Sequence, residues 1–378
     1  MRSYARDMPE VHTARRNRLR DRCAATDSAV AALVSGAANL RYLTGRELPR
    51  AALLLGADGR DTLLGPPGGP SAPGPGPVDP DDELRVRELP DRGDPAAAAA
   101  ELALRTGARR LAVEEHHLTV ARHRELAAAA PALRLTDLGG VVEQQRLVKD
   151  RQELSALRIA AEITDQALGE LLESILVGRT ERHLALELER RLIDHGADGA
   201  AFPTSVATGR HSGLGTHSPT DRRVEEGDFL TVRLGARYRG YRCQIGRTFV
   251  IGSPPADWQV ELYDLVFAAQ RAGREALAPG AECRAVDRAA RSVLTAAGYG
   301  EALGGRTGHG VGLEIGEDPR LCPAAMSKLD ACVPVTVEPG VHLPGRGGVR
   351  IDDTLVVRPR ADGGPELLTI TTKELLAL

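Results

Sequence analysis

Imidazole, carboxylate and guanidinium groups that could carry acid–base chemistry cluster in three short segments of the C-terminal part of the chain. These segments are GHGVGLE at 308–314, VEPG at 337–340 and GVRIDD at 348–353. Histidine titrates near neutral pH, carboxylates accept protons and arginine holds anions. Strand alternation predicts that Arg350 and Asp352 share a face, and the glycines around His309 allow a close approach of backbone or ligand.

Signatures of other catalytic classes are missing from the sequence. It has no G-x-S-x-G nucleophile elbow, no P-loop and no dinucleotide-binding fingerprint after a strand. The five cysteines are widely spaced and form no C-x-x-C pair, which favours reduced thiols over disulfides or a thiolate zinc site. The chemistry is therefore expected to reside in the three C-terminal segments.

Composition argues against nucleic-acid and membrane partners. The net charge is −3, and the aromatic residues are only four Phe, one Trp and six Tyr, too few for base stacking. No signal peptide and no run of about 18 apolar residues is evident. We therefore expect a cytoplasmic protein with neither partner. The preference for arginine over lysine, with abundant Ala and Gly, is typical of a GC-rich genome such as an actinobacterial one.

Alternating strand and helix patterns predict a small α/β domain over residues 1–145. Short apolar runs typical of strands begin at Ala29, Ala51, Asp61 and Leu84. A helix over 95–105, a strand over 110–114 and a helix over 120–129 follow. The segment 65–82 is so rich in proline and glycine that we predict an exposed loop.

Residues 146–378 are predicted to form a second domain from a duplicated half. Amphipathic helices are predicted over 152–175, 181–195, 258–277 and 284–297, and strands within 229–251 and 333–357. The helix pairs align at an offset of 102 residues, which matches Gly178 with Gly280 and Gly196 with Gly298. Two such halves would face each other across a cleft suited to a small ligand.

The ordered motifs resemble those of the pita-bread family, which includes methionine aminopeptidase, prolidase, aminopeptidase P and creatinase. Besides the C-terminal segments, the resemblance rests on FPTSVATG at 202–209, GD at 227–228, LGA at 234–236, GY at 240–241 and RTF at 247–249. Nearly the whole chain resembles the prolidase, aminopeptidase P and creatinase branch. The implied fold class is α/β (α+β), a pita-bread C-terminal domain with internal pseudo-twofold duplication behind a smaller creatinase-type N-terminal domain.

The resemblance also implies a degenerate metal site. Peptidases of the family hold two divalent metals with two Asp, one His and two Glu. The two aspartate positions carry Arg233 and Gln244, and the last glutamate is shortened to Asp352, whereas His309 and Glu338 are kept. The two histidines that usually assist catalysis are replaced by Thr216 and Gly316, although His217 follows the first of these positions. We predict that the protein uses no metal and no other cofactor.

A charge count supports this prediction. Four carboxylates would supply −4, whereas Glu338, Asp352 and Arg233 sum to −1. A guanidinium about 5 Å from a single divalent ion would add a repulsion of roughly 6 to 7 kcal/mol at an effective dielectric near 20. This takes away much of the about 10 to 16 kcal/mol with which a good structural site binds zinc. We predict that Arg233 replaces the metal as the local cation and pairs with Glu338 or Asp352.

Side chains around these positions favour an anionic, carboxylate-bearing small molecule as the substrate. If Gln244 faces inward, alternation places Arg242 on the same face and Cys243 on the opposite one. We predict catalytic roles for His309, Glu338 and Asp352, and substrate-binding roles for Arg233, Arg242, Gln244, Arg350, His342, His217 and His211. The alternatives are an internal salt bridge for Arg233, hydrogen bonding alone for His309, and solvated surface positions for His211 and His217.

Three functions are compatible with these residues. The first is a metal-independent enzyme that acts by hydrolysis or proton transfer on a small amino-acid-like substrate, because creatinase cleaves a C–N bond on this scaffold without metal. Gly246, where creatinase has an acidic residue, argues against creatine itself. The alternatives are a non-catalytic pseudopeptidase, which a cleft filled by internal salt bridges would favour, and a peptidase with one remaining metal on His309, Glu338, Asp352 and Gln244. The resemblance also implies a homodimer.

Overall fold

The chain forms two compact units, Met1–Arg146 and Leu147–Leu378, both of mixed α/β structure as predicted. The computed structural model describes residues 8–24, 30–56, 59–67, 84–90, 93–174 and 176–378. Most of the predicted loop over 65–82 lies outside these residues. No helix in the described ranges is both long enough and apolar enough to cross a bilayer.

The N-terminal unit is a six-stranded sheet with helices. Its elements are α1 Met8–Ala24, β1 Val30–Val34, α2 Ala37–Thr44, β2 Ala52–Leu55, β3 Asp61–Gly65, β4 Arg85–Glu88, α3 Pro95–Arg105, β5 Arg110–Val113, α4 Val120–Ala129, β6 Arg134–Asp137 and α5 Val141–Leu147. The strand order is β4-β3-β2-β1-β5-β6. The apolar strands β2 and β3 are buried, whereas the charged strand β4 is an exposed edge, as expected of a sheet that must discourage further pairing.

The C-terminal unit contains two helix pairs, each followed by strands. Its elements are α6 Arg151–Leu172, α7 Glu181–Asp194, β7 Gly199–Ala200, β8 Ser205–Thr208, β9 Phe229–Leu234, β10 Ala236–Tyr238, β11 Tyr241–Arg242, β12 Ile245–Val250, α8 Asp257–Glu275, α9 Cys283–Ala296, β13 Gly308–Val311, β14 Ile315–Leu321, β15 Pro334–Val337, β16 Gly340–Leu343, β17 Gly347–Arg350, β18 Asp353–Val356 and β19 Glu366–Leu367. The sheets have the orders β11-β10-β7, β12-β9-β8 and β14-β13-β15-β18-β19, and β16 pairs with β17.

The predicted duplication is confirmed by the ends of α7 and α9. Both helices have 14 residues, and their first residues are 181 and 283. After α7 the N–H of Gly196 donates to Ile193 and the N–H of Ala197 donates to Leu192, a Schellman motif. The same two bonds, shifted by 102 residues, end α9 at Gly298. Both glycines have a positive φ, 95° and 89°, so equivalent local chemistry ends both helices.

A backbone bridge joins strands from the two halves. The N–H of Gly246 donates to Asp352 at 3.1 Å, and the N–H of Asp352 donates back at 3.0 Å. A Cβ on Gly246 would lie 2.6 Å from Cγ of Asp352, so only glycine permits this approach. The bridge therefore places the segment around Asp352 against the start of β12.

Alanine at either duplicated glycine should destabilise the chain by about 1 kcal/mol, because a left-handed backbone disfavours a Cβ. Within the described structure no neighbour lies within 4 Å of the added Cβ at Gly196 or Gly298, so the loss would report the backbone alone. Midpoints of urea unfolding measure it.

Gly169→Ala is the matched control, since its added Cβ also meets nothing within 4 Å of the described residues. It lies inside α6, where alanine should stabilise by about 0.5 to 1 kcal/mol. A stabilising effect at Gly196 or Gly298 would contradict the equivalence of the two helix ends.

Candidate functional site

Six of the predicted site residues converge in the C-terminal unit. Arg233 lies on β9, Gln244 before β12, His309 on β13, Glu338 after β15, Arg350 at the end of β17 and Asp352 two residues later. Close packing of β13 depends on its glycines, because an added Cβ on Gly308 or Gly310 would overlap a backbone oxygen of Thr336 or Asp318. The residues meet although they come from five separate strands or strand ends.

The six converging residues form a carboxylate cluster around Glu338 and Asp352. Asp352 accepts the most side-chain hydrogen bonds within it. Nε of Arg350 donates to Oδ1 at 2.7 Å and to Oδ2 at 2.9 Å, and Nε of Arg233 donates to Oδ2 at 3.1 Å. The amide nitrogen of Gln244 donates to the same Oδ2 at 2.8 Å. The ion pair expected between Arg233 and the carboxylates is therefore present.

Glu338 shares two of these donors. Its Oε2 accepts from Gln244 at 2.6 Å and from Arg350 at 2.7 Å, and the guanidinium of Arg233 lies 3.9 Å away. Burial alone would raise the pKa of Glu338, but Arg350, His309 and Arg233 outweigh it and lower the pKa to about 2. Glu338 is therefore ionised at neutral pH.

The two carboxylates in turn set the charge state of the arginines. Burial opposes the charged form of Arg350, yet Asp352 and Glu338 raise its pKa. The pKa of Arg233 is lowered by burial and by repulsion from Arg350, but an arginine stays charged in proteins. Two negative and two positive side chains thus cancel. Because two arginines and an amide nitrogen already donate to the carboxylates, this donor set does not fit two divalent cations.

His309 presents a basic nitrogen inside the cluster. Its Nδ1 donates to the carbonyl of Gly310 at 3.0 Å, which leaves the lone pair on Nε2. That atom is buried, lies 3.7 Å from Oε2 of Glu338 and has no hydrogen-bond partner among the described residues. Burial lowers the pKa of His309 despite the attraction of Glu338, so the ring is neutral at pH 7. Oε1 of Gln244 is likewise buried without a partner in the described part of the chain.

The prediction that Arg242 shares a face with Gln244 assumed that both lie on one continuous strand, and this assumption is wrong. β11 ends at Arg242 and β12 begins at Ile245, and the two strands belong to different sheets. Side chains across this break do not alternate as one strand would. Nε of Arg242 donates to the carbonyl of Leu313 at 3.1 Å, and its Nη1 donates to that of Ala201.

His342, on β16, lies so close to the carboxylate cluster that the charges of the cluster act on its imidazole ring. Its Nδ1 lies 3.5 Å from the carbonyl of Ser212. Burial lowers the pKa of His342, and the positive charge of Arg350 lowers it further. Cys243 is fully buried, and burial raises its pKa to about 12, which makes it a poor nucleophile.

His211 and His217 contact a different acid. Both rings hydrogen-bond to Glu181, at 2.9 Å and 2.8 Å, and Glu181 is completely buried. Burial would raise the pKa of Glu181, but hydrogen bonds from Thr208, Thr220 and His217 lower it. The two histidines are therefore half-buried members of a second cluster.

Arg306 lies close to Glu338, although it was not among the site residues predicted from the sequence. Its Nε lies 3.6 Å from Oε1 of Glu338, and 44% of its side chain is exposed. It follows a glycine-rich turn without a periodic pattern, so no sequence signal directed it toward the cluster. Arg306 adds a positive charge at the edge of a balanced group.

The depressed pKa of Glu338 predicts stability that is lost in acid. Because this pKa falls from 4.5 to about 2, the ionised carboxylate stabilises the fold above about pH 5, and the contribution declines as the pH falls toward 2. Between pH 6 and pH 3 the loss should be about 2 kcal/mol. Urea unfolding at both pH values measures it, and Glu338→Gln should remove this part of the pH dependence.

Glu301→Gln removes an exposed carboxylate and serves as the control. It should keep the pH dependence of the unchanged chain, and an equal effect of the two variants would contradict the assignment.

Two family models match the chain. The model described as the Creatinase/Prolidase N-terminal domain matches residues 15–148, and the model of metallopeptidase family M24 matches residues 155–359. The chain is 38% identical over 236 residues to an Xaa-Pro dipeptidase of Pyrococcus furiosus, covering 62% of this chain and 67% of that protein. It is 36% identical over 272 residues to an uncharacterized peptidase of Bacillus subtilis, covering 72% and 76%.

Solved structures agree with these matches. An Xaa-Pro dipeptidase from Bacillus anthracis superposes with a TM-score of 0.86 at 31% identity, covering 97% of this chain and all of that one. The prolidase from Pyrococcus horikoshii gives 0.86 at 30% identity, with 96% and 99% covered. The chain therefore belongs to metallopeptidase family M24, with a pita-bread C-terminal domain behind a creatinase-type N-terminal domain.

Proposed function

We propose that this chain is a pseudopeptidase, a member of a hydrolase family that binds a small carboxylate-bearing ligand and does not cleave peptides with metal ions. One observation carries the proposal. Arg233, Gln244 and Arg350 donate to the same two carboxylates that the family resemblance assigns to metal binding. Internal ion pairs and an amide thus supply the compensation that two cations would otherwise provide.

The energetics of the cluster argue against one remaining metal. An ion on His309, Glu338, Asp352 and Gln244 would have to turn the Gln244 amide nitrogen away from the two carboxylates and separate Arg233 from Asp352. Breaking a buried ion pair costs about 3 to 5 kcal/mol, and the guanidinium would still repel the cation. A mononuclear peptidase is therefore the least favoured of the three functions.

The charge of the cluster favours an anionic ligand. With Arg306 the balance is +1, and the side chains of Arg233 and Arg306 are 28% and 44% exposed. A guanidinium binds a carboxylate through two parallel hydrogen bonds. Relatives described as Xaa-Pro dipeptidases make a proline dipeptide the natural probe.

His309 supports a second candidate, the metal-independent enzyme. Its neutral, unpartnered Nε2 is a proton acceptor held within 3.7 Å of Glu338. In such an enzyme His309 would move the proton, Glu338 and Asp352 would orient it, and the arginines would bind the carboxylate. The homodimer implied by the resemblance also stays a proposal, which sedimentation equilibrium tests.

Aspartate at both Arg233 and Gln244 should create affinity for Mn²⁺ that the unchanged chain lacks. The charge of the five metal-ligand positions changes from −1 to −4, which suits two divalent ions. We expect near-stoichiometric Mn²⁺ on the double variant after dialysis, measured by elemental analysis, and only background on the unchanged chain.

Arg190→Asp, which makes the same arginine-to-aspartate change at a position 82% exposed, should bind no Mn²⁺. Stoichiometric Mn²⁺ on the unchanged chain that disappears in His309→Ala would overturn the pseudopeptidase proposal.

Glycyl-proline should bind to the chain and stay intact in the presence of a chelator. Calorimetry measures binding, and chromatography of free proline measures cleavage. Arg306→Ala should weaken binding about 10-fold, the loss of one hydrogen bond to a charged group. Arg320→Ala, 60% exposed, is the control and should bind as the unchanged chain does.

Chelator-resistant release of proline would decide for the enzyme, provided that His309→Ala abolishes it and the exposed His123→Ala does not. Absence of both binding and cleavage would contradict both functions for this ligand class.

A further inference from the structure

A second group of metal-ligand side chains lies at the start of α7. Glu181 is the first residue of that helix and is completely buried. His211 lies in the 3₁₀ turn Gly209–Gly213, and His217 lies in the loop that follows. Three separate segments of chain thus bring two imidazoles to one carboxylate. None of the three residues belongs to the five metal-ligand positions of the family.

The geometry of this group is compact. Nδ1 of His211 lies 2.9 Å from Oε1 of Glu181, and Nε2 of His217 lies 2.8 Å from Oε2. The three potential ligand atoms all lie within 4.8 Å of one another. In a tetrahedral zinc site with bonds of about 2.0 Å, ligand atoms are separated by roughly 3.3 Å. Small side-chain rotations would therefore admit an ion.

Further hydrogen bonds hold the carboxylate in place. The N–H of Thr208 donates to Oε1 at 2.8 Å, and the N–H and hydroxyl of Thr220 donate to Oε2 at 3.0 Å and 2.7 Å. Ligating carboxylates in metal sites are hydrogen-bonded in this way by outer groups. If these nitrogens bound an ion, the proton of each neutral imidazole would move to its second nitrogen.

We propose that Glu181, His211 and His217 bind one Zn²⁺ ion. Two histidines and a glutamate are an established zinc ligand set that leaves a fourth position for water. The ion would fasten the 209–217 segment to α7. That segment also contacts β17, where the hydroxyl of Ser212 accepts from the N–H of Gly348 at 3.0 Å. The inference does not depend on the proposed function.

Zinc titration of the full chain after chelator treatment and dialysis tests the proposal. We expect one equivalent of Zn²⁺ by calorimetry, a zinc-dependent rise in Tm, and the visible absorption of tetrahedral Co²⁺ on substitution. His211→Gln and His217→Gln keep an N–H for Glu181 but remove a ligand, so affinity should fall more than about 100-fold. Circular dichroism verifies that the variants are folded.

His123→Gln, which removes an exposed histidine outside the triad, is the matched control and should bind zinc normally. The proposal fails if the unchanged chain binds no zinc, or if the two triad variants bind it unchanged. Zinc that is lost in His309→Gln but kept in His217→Gln would place the ion in the carboxylate cluster, and would overturn this inference and the proposed function together.

Discussion

Two buried acids, Glu338 and Asp352, govern the structure of the C-terminal unit. A carboxylate without a counter-charge is expensive to bury, so the fold must bring compensation to both. In this chain Arg350 contacts both acids, Arg233 pairs with Asp352, and Gln244 adds donors without adding charge. The backbone bridge at Gly246 and the glycine-rich strand β13 allow the close backbone packing that this arrangement requires.

Motif residues were predictable from the sequence because their positions are fixed by local signals. The helix ends at Gly196 and Gly298 are a clear case, since a glycine with a left-handed backbone stops a helix wherever it occurs. The carboxylate cluster was predictable through the ordered motifs around His309 and Glu338, which place the strands that carry them.

Tertiary contacts account for what the sequence did not reveal. The break between Arg242 and Ile245 separates two sheets. No residue type at this break signals that the partner strand changes. Arg306 reaches Glu338 from an irregular segment. His211 and His217 gain meaning only through Glu181, whose burial depends on how α7 packs. The periodicity of a strand or helix predicts which residues share one face of that element. It does not predict contacts between side chains of different elements and loops.

The Gln244 contact also constrains how such a chain could have evolved. An amide that donates to two acids serves only while both are present and a neighbouring arginine balances them. A single change to aspartate at either Arg233 or Gln244 would crowd a third negative charge into the same enclosed space. For the proposed pseudopeptidase, restoring the two aspartates one at a time would thus pass through an unstable intermediate.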